Sequence, residues 1–517
     1  MQDKQTIKIA ELDTITQDSL MFFESELFKT VQLNSVFEDS KTFADATFKV
    51  PLQEILKQYD LKSKSDPGFD LKSFITEYFY LPEDTELNIT LATDDIKLYI
   101  NELWKALERQ ATNVTSGSLL PLKYPYLVPG GRFREIYYWD SYFSSLGLIE
   151  SGHVQLVNDM LTNFIDLQSR YGCIPNGNRT YYISRSQPPI LALLVELLLP
   201  TKTSELTFLA ETIQSLEVEY QFWMQGSEHL QGAVSEHRRV VKMPNGSYLN
   251  RYWDDNSSPR AESYREDIEL STGLPEDLRP AFYRNIRAAC ESGWDFSSRW
   301  LADCNNLSSI RTTRIVPVDL NCLLFKLEQS LSKYYLALGD KEKSTSYQKK
   351  AMARKSAIQL YMWSDSDGFY YDYDLDTKTH HPVRSLAGVL PLFVGLAQDK
   401  QAIEVANNIE TFFLKEGGLI TTVVNTKQQW DSPNGWAPLH WFCVQGLRLY
   451  QQDELAQNIM NNWLNTTHAH FYHTGKLMEK YNVCQQQNIA SGGEYEVQEG
   501  FGWTNGVNQA FYKLLNV

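Results

Sequence analysis

Apolar positions recur at helical spacing through most of the chain. Ile96, Ile100, Leu103, Trp104 and Leu107 share one face of a helix expected to start at about residue 94. Leu320, Leu323, Leu324, Leu327, Leu331, Tyr334 and Tyr335 form a second stripe, with Asp319 as its candidate cap and Gly339 where a helix would stop. The same pattern predicts helices over 341–363, 402–413, 436–450, 454–464 and 505–515. Strand-like alternation is confined to pieces near 368–373 and 418–424. No repeat of fixed period appears. The pattern therefore predicts an all-α body over residues 93–517. Residues 1–92 read as short mixed segments with weak periodicity, including a turn at Asp66-Pro67-Gly68, and are expected to form an arm on that body.

Composition narrows the function. The 517 residues carry a formal net charge of −16, which disfavours nucleic acid and opposes attraction to anionic lipid. No run approaches the roughly 18 apolar residues of a membrane span. The first twenty residues lack the apolar core of a secretory signal, so the expectation is a cytoplasmic protein. Six cysteines are scattered without CxxC spacing, and no His/Cys cluster reads as a metal site; neither metal nor organic cofactor is expected. Of the 12 Trp and 29 Tyr some must fill the core, and apolar sugar faces also stack on such rings; composition alone does not separate the two uses.

Six polar–aromatic segments lie between the predicted helices. PGGRFREIYYWDSYF (129–143) joins Arg132, Trp139 and Asp140 to a two-glycine turn. IPNGNRTYYISRSQPP supplies Asn176, Arg185, Ser186 and Gln187, and PRAESY supplies Arg260 and Glu262. In ESGWDFSS, Asp295 stands between Trp294 and Phe296, a setting that can raise a carboxyl pKa; the plain alternative is a helix cap. QWDSPNGWAP offers Trp430 and Trp436 for stacking and Asp431 as an acceptor. The last segment runs from Glu479 through Gly492, Gly493 and Glu494 to Gly502, without the strand–glycine–helix order of a phosphate loop. Taken singly, each is equally an ordinary loop. Together they fit a sugar cleft at one end of a helical barrel, with Asp295 and Glu479 as candidate carboxyls for glycoside hydrolysis.

PGGRFREIYYWDSYF and QWDSPNGWAP resemble the two signature motifs of the trehalase family. The segments IPNGNRTYYISRSQPP, ESGWDFSSRW, EKYNV and GGEYEVQEGFGWTNG resemble it in the same order, over about residues 25–517. The resemblance implies an (α/α)6 barrel, six inner and six outer helices, and hydrolysis of α,α-trehalose to two glucose molecules by an inverting, cofactor-free mechanism. By position it implies Asp295 as general acid and Glu479 as general base. It implies Arg132, Trp139, Asp140, Asn176, Arg185, Ser186, Gln187, Arg260, Glu262, Gly293 and Glu494 as sugar contacts. The expected partner is trehalose alone, the expected state a monomer, and the expected branch of the family the cytoplasmic one. Ala261 departs from the usual Pro, and the run before Glu494 has fewer glycines than in many relatives. The readings left beside this one are a related α-glucosidase and a catalytically inactive trehalose sensor.

Overall fold

The computed structural model describes residues 14–83, 95–111, 116–485, 490 and 492–516. The boundary expected between residues 92 and 93 lies outside them. Asp95, not residue 94, opens the first barrel helix: its carboxylate accepts from the backbone N–H groups of Lys97 and Leu98. Those donors would otherwise be orphaned at a helix start.

This helix is α1 (Ile96–Leu107). It is followed by α2 (Tyr138–Glu150), α3 (Val154–Tyr171), α4 (Leu191–Leu198), α5 (Glu205–Trp223), α6 (Val318–Ala337), α7 (Lys341–Tyr361), α8 (Leu390–Phe393), α9 (Asp399–Asn408), α10 (Ala437–Leu449), α11 (Asp453–Thr474) and α12 (Gly502–Leu515). The even-numbered helices close a ring. α2 packs on α4, α4 on α6, α6 on α8, α8 on α10, α10 on α12, and α12 returns to α2. The helices between them in sequence lie outside, α3 against α2 and α4, α5 against α4 and α6, α7 against α6. The chain thus alternates outer and inner helices in an (α/α)6 barrel.

The inner helices are buried over most of their surface, which explains their largely apolar composition. In α2 every residue from Tyr138 to Leu148 is buried. Its serines satisfy themselves locally: the Ser141 and Ser145 hydroxyls donate to the carbonyls four residues back, each at 2.6 Å. Ring closure needs glycine. A Cβ on Gly506 of α12 would fall 2.0 Å from the Phe143 carbonyl oxygen of α2.

Two further differences from expectation have a plain physical reason. α6 begins at Val318 after Pro317, so Asp319 is not its cap; the carboxylate instead pairs with buried Arg299 at 2.7 Å. α11 continues past 464 to Thr474, because Thr466, Thr467 and Phe471 extend its buried face where the apolar pattern thins.

Between α5 and α6 the chain makes a three-stranded sheet (Glu236–His237, Val240–Lys242, Tyr248–Asn250) and the helices Tyr264–Ser271 and Arg279–Ser292. A further strand, Asn434–Trp436, pairs antiparallel with Lys480–Asn482, setting Trp436 opposite Lys480. The short strands near 368–374 and 418–419 fall where alternation was seen.

Residues 14–83 contain the helices Thr14–Glu24, Glu26–Leu33, Leu52–Ser65 and Leu71–Tyr78. Their apolar cluster, built on Phe22, Phe28, Phe43 and Phe79, runs on into Tyr137, Tyr181, Tyr182 and Ala261 of the barrel loops. Polar contacts continue it: Lys41 pairs with Glu135 at 2.8 Å and Asp39 with Arg132 at 2.7 Å.

Candidate active site

The six segments converge. A cavity lies among the loops that join the barrel helices. Arg132, Trp139, Asp140, Asn176, Arg185, Gln187, Arg260, Glu262, Gly293, Asp295, Glu479 and Glu494 all line it. Ser186 does not. Its N–H donates to Glu291 at 3.0 Å and its hydroxyl to the Ile174 carbonyl at 2.6 Å, so it fixes the loop that presents Arg185 and Gln187. Asp431 is also absent from the lining. It is fully buried and accepts from Ser297, from Ser298 and from Thr422 and Thr426 hydroxyls, pinning the segment that follows Asp295.

Arg132 is held by two charge-assisted bonds to Asp39, at 2.9 and 2.7 Å, with its guanidinium 4.8 Å from the Tyr495 ring centre. Arg185 donates to Glu262 at 2.7 Å. Arg260 forks between Asp267, at 2.6 Å, and Glu494, at 2.9 and 3.1 Å. Planar guanidinium groups fixed by carboxylates in this way present their remaining N–H donors in set directions, as recognition of ring hydroxyls requires.

Asp295 follows the helix Arg279–Ser292, whose left-handed C-terminal residue is Gly293 (φ 75°). A Cβ there would lie 2.8 Å from the Trp139 indole, so the close approach to Trp139 needs glycine. Trp294 and Phe296 are buried beside it, and Asp295 caps no helix. Trp430 stacks on Trp436 with ring centres 3.9 Å apart and planes 1° from parallel. Both rings line the cavity.

The carboxyls are electrostatically distinct. Burial pushes Asp295 from the ordinary 3.8 up to about 7; Arg260 opposes the rise and Glu494 adds to it. Burial also raises Glu479, against the Lys480 ammonium and a hydrogen bond of 2.8 Å donated by Tyr495 to Oε1. Glu479 Oε2 and Glu262 Oε2 are buried and take no hydrogen bond from protein among the described residues. A carboxylate oxygen so placed is satisfied only by solvent or ligand. Burial raises Asp140 well above its usual range, with Glu479 and Asp295 adding to it. Glu262 is held low: Arg185, Arg260 and Arg287 outweigh its burial.

Among the described residues no cluster of His, Cys, Asp and Glu could hold a metal ion, and no helix is long and apolar enough to cross a membrane.

The trehalase family model matches residues 35–516. The chain belongs to the trehalase family. It is 44% identical over 504 residues to a periplasmic trehalase of Salmonella paratyphi A, covering 97% of this chain and 88% of that one. A periplasmic trehalase of Escherichia coli is 43% identical over 507 residues, covering 98% and 89%. Among solved structures it resembles neutral trehalase Nth1 from Saccharomyces cerevisiae, with 25% identity, a TM-score of 0.63, and coverage of 82% and 81%. The GH63 mannosylglycerate hydrolase of Thermus thermophilus, 17% identical with a TM-score of 0.55 over 81% of this chain and all of that one, shares the fold.

These relatives correct one expectation. The cytoplasmic assignment rested on the polar start of the sequence, and relatives matching nearly the whole chain are named periplasmic. A start without an apolar core does not fix the compartment.

Several lining residues escaped the sequence reading. Tyr495 stands beside Glu494 in the last segment, and its hydroxyl reaches Glu479. Trp503 donates from Nε1 to the Glu479 carbonyl at 2.8 Å. Both lie in GGEYEVQEGFGWTNG, where aromatic richness was the only signal. Phe133, Tyr137 and Tyr182 also line the cavity. Asp39, the partner of Arg132, lies 93 positions away with no local signal at all.

Proposed function

We propose that this trehalase-family chain hydrolyses α,α-trehalose to two glucose molecules with inversion, Asp295 acting as general acid and Glu479 as general base. The observation that carries the assignment is the pair itself. One cavity holds a carboxyl raised to about 7, so that it keeps its proton near neutrality, and a second carboxyl with Oε1 fixed by Tyr495 and Oε2 unserved by protein. Asp295 gives its proton to the oxygen joining the two sugars as the bond to the anomeric carbon breaks. Water adds to the opposite face of that carbon, and Glu479 takes the proton it releases. Inverting pairs stand about 6.5–9.5 Å apart to leave room for that water.

Arg132, Arg185, Arg260, Asp140, Asn176, Gln187, Glu262 and Glu494 are the proposed hydroxyl contacts, with Trp139 and Gly293 shaping the wall. Ser186 acts by holding its neighbours. We assign residues 1–92 to an arm and 93–517 to the catalytic barrel. The working state we propose is a monomer. The compartment named for the relatives supports periplasmic residence. An inactive sensor would lack one carboxyl of the pair, and here both face the cavity.

Proton NMR of the anomeric signals during the first turnovers on trehalose tests the assignment. Equal α- and β-glucose, with turnover lost in Asp295→Asn, is expected. α-Glucose alone would refute inversion, and full activity in Asp295→Asn would refute the acid.

A further inference from the structure

The two proposed catalytic carboxyls sit on separate elements, and one buried side-chain bridge joins those elements. Asp295 follows the helix Arg279–Ser292, while Glu479 immediately precedes the strand Lys480–Asn482. Gln429 lies between them. Its Nε2 donates to the Asp295 carbonyl oxygen at 2.6 Å, and its Oε1 accepts from Lys480 Nζ at 2.5 Å. Both side chains are almost wholly buried, at 2% and 1% exposure. Lys480 Nζ also donates to the Gly492 carbonyl at 3.1 Å and lies 5.2 Å and 5.6 Å from the Trp436 and Tyr495 ring centres.

Nothing in a helical barrel requires this arrangement. A buried ammonium is costly unless its charge is answered nearby. Here the neutral amide and carbonyl satisfy its donors, and among the described residues the carboxylates whose charges act on it are Glu479 and Asp295. The loop glycines are pressed onto the same amide: a Cβ on Gly493 would fall 2.7 Å from Gln429 Oε1. A purely structural pin could have been a second amide, with no charge to desolvate.

We propose that Lys480, oriented by Gln429, is a positioning residue that keeps Glu479 ionised while Asp295 stays protonated. This rests on the acid and base assigned above. Inversion requires opposite protonation states in two carboxyls that share one water-poor cavity, so a fixed charge must favour one of them. The groups facing Glu479 are Lys480 next to it in the chain, Tyr495 on the glycine loop, Arg132 at the turn before α2, and Asp140 within α2. Arg132 acts on Glu479 in the same sense but more weakly, being paired with Asp39, and Tyr495 and Asp140 bring no positive charge. Lys480 is the stronger of the two cations acting on the base. The backbone link from Gln429 to Asp295 sets the acid's segment at a fixed offset from that cation.

The test is the pH profile of kcat/KM on trehalose for Lys480→Met, Lys480→Arg and Gln429→Glu, with Glu479→Gln as a separate control. The acidic limb reports ionisation of the base. In Lys480→Met that limb is expected to move up by about one pH unit, as for removal of a neighbouring opposite charge. Lys480→Arg, which keeps the charge, should leave the limb in place even where kcat falls. Gln429→Glu conserves volume and neutralises the ammonium, so it should move the limb upward too and supplies the measurement if Lys480→Met does not fold. A lowered kcat with the limb unmoved in both Lys480→Met and Gln429→Glu overturns the proposal and leaves the acid–base pair standing. Wild-type turnover in Glu479→Gln instead overturns the base assignment, and the role of Lys480 with it.

Discussion

Replacing Glu494 by Gln removes one negative charge from the cavity while conserving shape. Glu494 acts on Asp295 in two ways. Its own charge raises the Asp295 pKa, and by accepting two hydrogen bonds from Arg260 it offsets part of a guanidinium charge that lowers it. In Glu494→Gln the first effect disappears. Arg260 then keeps only Asp267 as a carboxylate partner, so more of its charge falls on Asp295. Both changes lower the acid's pKa. Glu494 is one-quarter exposed, so solvent screens its field, and the expected fall is about half to one pH unit below 7, worth about 1 kcal/mol.

The sign is fixed by the role of the group. In the proposed mechanism Asp295 works protonated, so kcat/KM should fall tenfold per pH unit as pH rises above its pKa. The basic limb, expected near pH 7 in the unaltered protein, should therefore move to lower pH in Glu494→Gln. The assay is initial glucose release across the pH range with trehalose well below KM, where the profile reports the free enzyme. Loss of a sugar contact would lower the whole curve, so the position of the limb is the readout rather than its height. A limb that stays in place shows that burial alone sets the Asp295 value. A limb that moves upward refutes the electrostatic account of the acid.

Asp39→Ala should lower kcat/KM by roughly ten- to a hundredfold, because Arg132 loses the carboxylate that orients it, while unfolding free energy falls by only about 1 kcal/mol for so exposed a partner; activity within twofold of the parent would show that Tyr495 and Phe133 suffice to hold Arg132. Gly293→Ala forces a methyl against Trp139 at a positive φ, and a loss of about 1–3 kcal/mol in urea unfolding together with a sharp fall in kcat is expected; unchanged stability would mean that the indole moves aside freely.

The helices were legible where one face is apolar at regular spacing and a cap marks the start, as in α1 with Asp95. They were not legible where burial is all-round or the helix very short. α8 spans only Leu390–Phe393 and carries no period, yet without it the inner ring does not close. Site residues were legible as residue types in loops, and local chemistry could not rank neighbours. Ser186 and Gln187 are adjacent and equally polar; one faces the backbone behind the loop and the other the cavity. Asp431 and Asp295 are both acids beside Trp, and only the hydroxyls that converge on Asp431 separate a structural pin from a reactive carboxyl. Such distinctions depend on how the loops fold over one another, which the spacing of residue types does not encode.

The arm shows the same dependence energetically. Lys41 lies between Asp45 and Glu135, and Arg179 between the same two acids, with Arg134 at the margin of Asp45; apart from Arg134 all are nearly or wholly buried. Burial would raise Glu135, but the charges of Lys41 and Arg179 hold it well below the usual range. Two members of this cluster belong to residues 14–83 and the rest to the loops before α2 and after α3. Withdrawing residues 14–83 would leave Glu135 and Arg179 paired with each other but would break the Lys41–Glu135 and Arg179–Asp45 contacts. It would also remove Asp39 from Arg132 and uncover Tyr137, Tyr181 and Tyr182. The segment with the weakest pattern in the sequence therefore sets the geometry of the loop that carries the first signature. The same short stretch, Arg132 to Tyr137, both packs against residues 14–83 and lines the cavity, so the two are geometrically coupled.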